Sequence, residues 1–407
     1  MNHYDILIKN GNLFDVGNEL DVAISGGKIA AIGKDLPATA DTVIDATGKL
    51  VAPSFVDSHT HLDKALSAID LDAPGLAAAI EQAAQFQASV PKEEACENIK
   101  ARTRVILDWE AANGSCAVKT HVRLDEAWGM EGLRAMNELK EEYKGIIDVI
   151  NITPYDPFCD KEWREAAKAG LIDFIAGYPG LYGSDAYAEE ADPMFELAAE
   201  YNLPLDLHIN EFDGPDTRCF EYVLTKSIEM GLGDRLTCGH VTSLAAVSDE
   251  EAQRLIALAK KANANIITLP SCNMYLGGRG DKQPIRRGIT RIHEFLEAGV
   301  NIAYASDNIR DHFRPFGNGD MLEEALFTAQ CIQYGTTGQL ETVFRMGTYN
   351  AAKNCLLKDY GLAEGCRADL TIFREHSAAQ AVISQHPRCF VIKDGKVIAK
   401  NGELIRA

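Results

Sequence analysis

Short apolar runs that alternate with longer helical stretches restrict this chain more than any other feature. A sequence that switches repeatedly between strand and helix periodicity builds βα units around a parallel sheet. Eight runs are predicted as strands: residues 52–59, 116–122, 148–154, 173–179, 204–210, 236–241, 265–270 and 301–307. Helical periodicity lies between them, for instance over 133–144, 193–201, 249–262 and 289–298. The count favours an α/β fold of the (β/α)8 TIM-type barrel kind over an open sheet, and a barrel of about 250 residues leaves part of the 407-residue chain for something else. That remainder lies at both ends. Residues 4–15, 21–33 and 41–51 alternate like strands, with Asn10-Gly11 and Gly26-Gly27 as hairpin signals, and 365–374 and 389–404 do the same around the strong turn Asp394-Gly395. Because a lone hairpin is marginally stable, the two ends are expected to pair. The expectation is a small β-sandwich domain, residues 1–51 plus 356–407, flanking a barrel over 52–355.

A formal charge of −20 argues against nucleic acid or an anionic membrane as partner, since phosphate binding needs a basic patch to release counterions. Local basic groups such as "IRRGITR" (285–291) leave room only for a small site. No run approaches the roughly 20 apolar residues of a membrane span. The opening "MNHYDILIKNG" reads as a strand, not an export signal. Ten scattered cysteines without a C-x-x-C pair read as reduced small hydrophobes of a cytoplasmic protein. The partner expected is a small molecule, with association into a homo-oligomer left open.

The first barrel strand runs into "SHTHLDK", residues 58–64. Residues i and i+2 of a strand face the same way, so His59 and His61 point together into the barrel mouth and can chelate one cation. A single histidine at a strand end is more often a hydrogen-bonded rim residue. Here, however, His208 ends strand five, His240 ends strand six and Asp307 ends strand eight, all at the rim where barrel enzymes assemble their sites. Imidazoles with one carboxylate suit Zn²⁺ or Fe²⁺ better than Ca²⁺ or Mg²⁺, and such an ion lowers the pKa of a water toward about 7. A metal-dependent hydrolase follows. Glu211, three residues beyond His208, is assigned proton transfer. Asp307 serves both as ligand and as proton acceptor, and His240 either binds the metal or orients the attacking oxygen. His121, ending strand two, is read as a residue of the rim or pocket lining; His3, His293, His312, His376 and His386 have no converging partners.

At these residues the chain resembles the amidohydrolase superfamily, and more narrowly the bacterial cytosine deaminases, through "SHTHLDK", "KTHVRLD", "LHINEFD", "GHVTSL" and "PFGNGDM". The resemblance spans nearly the whole chain. It implies a mononuclear site with His59, His61, His208 and Asp307 as ligands, Glu211 as proton shuttle and His240 assisting the nucleophile. No bridging carboxylated lysine is implied, because Lys119 lies on strand two and "DFIAGYP" has none. The substrate so implied is a free amino-heterocycle, cytosine or a 5-substituted cytosine such as 5-methylcytosine. Two departures bear on it: a glutamine of the cytosine deaminase pattern is replaced near Tyr155 in "ITPYDPF", and the carboxylate after the metal aspartate is Asn308. Tyr155, Asn308 and His121 are therefore the expected substrate contacts. "ASDNIRDHFRPFGNGDM" also resembles the N-isopropylammelide amidohydrolases, which makes release of an alkylamine from an aminotriazine, or hydrolysis of another cyclic C–N bond, the alternative. The zinc deaminases built on H-x-E with P-C-x-x-C are excluded, since that pair of motifs is absent.

Overall fold

A computed structural model of the protein describes residues 2–68 and 75–405; residues 1, 69–74 and 406–407, which the expected domain division includes, lie outside it. The eight predicted strands all form, at Phe55–Thr60, Ser115–His121, Asp148–Pro154, Phe174–Gly177, Leu205–Ile209, Leu236–His240, Asn265–Thr268 and Asn301–Tyr304. Each pairs in parallel with the next in chain order. Helices cover the outer faces, so several strands, the first and fifth among them, are buried along their whole length.

One helix illustrates the local logic. Asp249–Ala262 begins at Ser248, whose hydroxyl accepts the Glu251 N–H at 3.3 Å. Asp249, Glu250 and Glu251 fill its first turn and Lys260 and Lys261 its last, matching the helix dipole. Ala252, Leu255, Ile256 and Ala259 then face inward.

The barrel closes through its eighth and first strands. Asp307 donates its N–H to His59 O at 2.9 Å, and His61 donates to Asp307 O at 3.2 Å. Asp57 reinforces the seam: Oδ1 accepts the Ser306 N–H at 3.1 Å and Oδ2 accepts the Ser306 hydroxyl. Closure thus brings residues 59–61 and 307 to one place.

Both chain ends build a second, mainly antiparallel sheet of nine strands, hydrogen-bonded into one continuous surface. Leu50–Pro53 joins its halves, pairing with Asn2–Leu13 on one side and Leu370–Ile372 on the other. Gly26-Gly27 and Asp394-Gly395 make tight turns between paired strands, with φ of 58°, 78°, 48° and 72°. The hairpin expected at Asn10-Gly11 is absent. Asn10 (φ 56°) lies inside Asn2–Leu13, gives its N–H to Asp21 Oδ1 at 3.0 Å and forms a bulge. Gly11 is needed there because a Cβ would lie 2.6 Å from Val51 Cγ2.

The sheet and the barrel share a cluster of aromatic rings. Phe344 sits 5.0 Å from both Phe14 and Phe55 and 5.6 Å from Phe373. Phe344→Ala is expected to cost about 3–5 kcal/mol, as burial and ring packing are lost together. A lowered midpoint of thermal unfolding checks this; an unchanged midpoint would show that the cluster does not join the two sheets.

Candidate metal centre and active site

The ends of barrel strands one, two, five, six and eight deliver His59, His61, His121, His208, His240 and Asp307 to one buried cluster. His240 (φ 66°) and Asp307 (φ 61°) occupy the left-handed region, which costs about 1–2 kcal/mol for a residue with a Cβ. Those kinks end the strands where the side chains must turn inward.

Burial pushes His59, His61, His121 and His208 well below the usual histidine pKa, leaving neutral imidazoles with free lone pairs. Around His61 the charges of Lys64 and Arg123 push the same way. His61 Nε2 is 3.2 Å from Asp307 Oδ1 and 3.3 Å from His208 Nε2, and His59 Nε2 is 3.7 Å from Asp307 Oδ1. Ligand atoms sharing one ion at bonds of about 2.0–2.2 Å stand roughly 3–3.5 Å apart, so these spacings fit a metal. His59 Nε2, His240 Nε2 and both Asp307 oxygens are buried without a hydrogen-bond partner among the described residues. Unpaired buried acceptors are costly, and a cation answers several at once. His59 belongs to two compact triads, one with His121 and His208 and one with His240 and Asp307, each with donor atoms within 4.8 Å of one another.

Beneath the cluster, Lys119 Nζ lies 2.5 Å from Asp206 Oδ2 and donates to Asn354 O at 3.0 Å. The pair is fully buried, and Asp206 Oδ1 is 3.9 Å from His59 Nδ1. His121 Nε2 approaches the same His59 Nδ1 at 3.3 Å, so His121 stands inside the histidine cluster, away from the open wall.

Above the cluster opens a cavity of about 420 Å³, within the range of small-molecule sites. His61, His208, His240 and Asp307 floor it, with Glu211 beside them. Glu211 Oε1 is 3.3 Å from His240 Nδ1, and burial pushes its carboxyl above the usual range while His240 counters. Tyr155 and Asn308 also line the cavity. The Tyr155 hydroxyl is committed to Asp160 Oδ1 at 2.9 Å, so this residue offers its ring; Asn308 Oδ1 has no partner among the described residues.

The sequence reading missed four contributors. Tyr178 packs its ring against His208 at a tilt of 45°, with ring centroids 4.5 Å apart, and Asn273 Nδ2 lies 3.0 Å from His240 Nδ1. Lys64 and Arg123 line the cavity. Both cations stand within the quoted motifs, two or three residues past a strand-end histidine, and that position was their only signal.

A sequence profile described as the amidohydrolase family matches residues 42–147 and 177–399. The chain is 30% identical to the N-isopropylammelide isopropyl amidohydrolase of Pseudomonas sp. (strain ADP), over 99% of both chains. It is 28% identical to a pterin deaminase of Rhizobium rhizogenes (strain K84 / ATCC BAA-868), over 94% of this chain and 88% of the relative. Among solved structures, the 5-methylcytosine deaminase from Klebsiella pneumoniae with 5-fluorocytosine superposes with a TM-score of 0.89 at 28% identity, covering 98% of this chain and 99% of that one. No helix among the described residues is long and apolar enough to cross a membrane.

Lys119→Met would leave the Asp206 charge buried and alone, and is expected to destabilise the protein by about 3–5 kcal/mol. Adding Asp206→Leu should recover most of that loss in denaturant unfolding; a double variant as unstable as the single one would refute a paired role.

Proposed function

The chain belongs to the amidohydrolase family, hydrolases of carbon–nitrogen bonds, and on that premise we propose that it is a metal-dependent deaminase of a free amino-heterocycle. Cytosine or a 5-substituted cytosine such as 5-methylcytosine is the first candidate, and ammonia and the oxo heterocycle are the products. The observation that carries this reading is the set of converging, partnerless donors of His59 and Asp307, close to His61 and His208, on the floor of a cavity that Glu211 also lines. The 5-methylcytosine deaminase with a TM-score of 0.89 supports the choice of ring.

In this proposal His59, His61, His208 and Asp307 hold one Zn²⁺ or Fe²⁺. When bound, such an ion supplies a water whose pKa is drawn toward about 7. Glu211, whose carboxyl burial pushes above the usual range, gives a proton to the ring nitrogen beside the reacting carbon. Asp307 accepts the proton that the attacking water gives up. His240, with Nδ1 beside Glu211 and Nε2 free, orients the nucleophile. The ring carbon becomes tetrahedral; Asp307 then passes its proton to the exocyclic amine, the C–N bond breaks with the electron pair leaving on nitrogen as ammonia, and the hydroxyl proton left on the carbon returns to Glu211 as the oxo group forms. Tyr155 packs its ring on the substrate, Asn308 reads a polar edge, and His121 acts from below by fixing His59.

One observation favours a second reading. The relative at 30% identity is an N-isopropylammelide isopropyl amidohydrolase, so release of an alkylamine from an N-substituted aminotriazine is the alternative.

Incubating metal-loaded enzyme with cytosine, 5-methylcytosine and N-isopropylammelide, and measuring ammonia against isopropylamine, separates the two. Ammonia release is the expected result, and exclusive isopropylamine release would overturn the deaminase assignment. Glu211→Gln should lower kcat by about 10²- to 10⁴-fold with metal content unchanged.

A further inference from the structure

Lys64 and Arg123 are the cations of the cavity wall, and neither is ion-paired among the described residues. Lys64 Nζ rests 3.8 Å from the centroid of the Phe313 ring, and the carboxylate of Asp311 acts on it from beyond ion-pair distance. Arg123 Nη1 donates to Gln87 Oε1 at 2.9 Å, while Gln87 Nε2 donates to Asp125 Oδ2 at 2.7 Å. A neutral amide therefore stands between the guanidinium and the wall carboxylate of Asp125. Two other acids nearby spend one oxygen each on backbone donors, and Asp311 Oδ2 is buried without a hydrogen-bond partner among the described residues. Asp63 Oδ2 takes the Arg123 N–H at 3.1 Å, and Asp311 Oδ1 takes those of Phe313 and Arg314 at 2.9 and 3.1 Å.

Their place in the barrel gives the pair a direction. Lys64 follows strand one and Arg123 strand two, whereas Glu211 follows strand five and His240 ends strand six. Strands four places apart in a closed ring of eight face one another across the mouth. One side of the cavity is thus cationic and the opposite side carries the proton-transfer carboxylate. The chain's net charge of −20 repels anions at long range, so these two groups serve contact recognition, not steering.

We propose that Lys64 and Arg123 form an anion-binding subsite, and that the substrate carries an acidic function on the edge remote from its amine. That function is either a ring imide ionised at neutral pH or a carboxylate substituent. The inference rests on the heterocycle reading above and narrows it, because neutral cytosine would leave both cations unanswered. Charge-assisted hydrogen bonds to a ring oxyanion or carboxylate give the two groups the partner they lack.

Calorimetric titration of the metal-loaded enzyme with uracil, barbiturate and orotate tests it: the first is neutral, the second a ring anion, the third a ring bearing a carboxylate. At least one anion should bind about tenfold or more tighter than uracil, and the tighter of the two identifies the source of the charge. Lys64→Met and Arg123→Gln should each lower the ratio of anion affinity to uracil affinity, and Lys64→Arg should retain more of that ratio than Lys64→Met. A preference that survives both substitutions would overturn the subsite, since attraction to the metal would then account for it. Uracil binding as tightly as both anions, with cytosine still turned over, would overturn the subsite alone. If none of the three binds and no amino-heterocycle is turned over, the heterocycle reading falls and the subsite with it.

Discussion

Where the eighth barrel strand meets the first, Asp307 gives its N–H to the His59 carbonyl and takes the N–H of His61. Each bond is worth only about 0.5–1.5 kcal/mol net, yet together they fix the relative positions of residues some 250 apart in sequence. The Asp307 side chain can approach His59 and His61 only because its backbone is already pinned between them. Closure of the fold and assembly of the donor cluster are therefore one event. The left-handed backbone at Asp307 and His240 is the local cost of turning both side chains inward, and it persists because the surrounding barrel over-determines it.

The same region buries more polar groups than a barrel core can carry unaided. Asp57 is pushed up to about 7 by burial, against two hydrogen bonds from Ser306 that favour the carboxylate. Lys119 and Asp206 neutralise each other beneath His59, and Arg314 meets Glu324 at 3.0 Å. Neutral imidazoles avoid the charge penalty but leave lone pairs that must be met. Partnered ions below and acceptors above make the cluster a place where a cation is stabilised and an anionic side chain alone would not be. Glu211, at the edge of that field, has its carboxyl pushed above the usual range by its own desolvation.

Much of this is legible in the sequence. Apolar runs bounded by helical stretches marked all eight barrel strands, because a strand buried on both faces has little choice of composition. The strand-end histidines and Asp307 stood out for the same reason: polar residues that end apolar strands need an explanation. What was not legible is set by partners distant in sequence. In Lys92–Ala112 the apolar face is interrupted by Lys100, Thr103 and Glu110, and Lys100 pairs with Glu97 and Glu138. Asn10-Gly11 looked like a turn, whereas Asp21 and Val51 make it a bulge. The arrangement at Arg123 depends on Gln87, in the helix Leu76–Ser89, some 36 residues away in sequence.

The account stands on one ion held across the barrel seam. Crystals grown with zinc or iron, with anomalous data collected on both sides of the metal's absorption edge, would locate it. A single peak within bonding distance of His59 Nε2, His61 Nε2, His208 Nε2 and Asp307 Oδ1 is the result predicted. A peak held by His121 in place of Asp307, or no peak among well-ordered side chains, would contradict it.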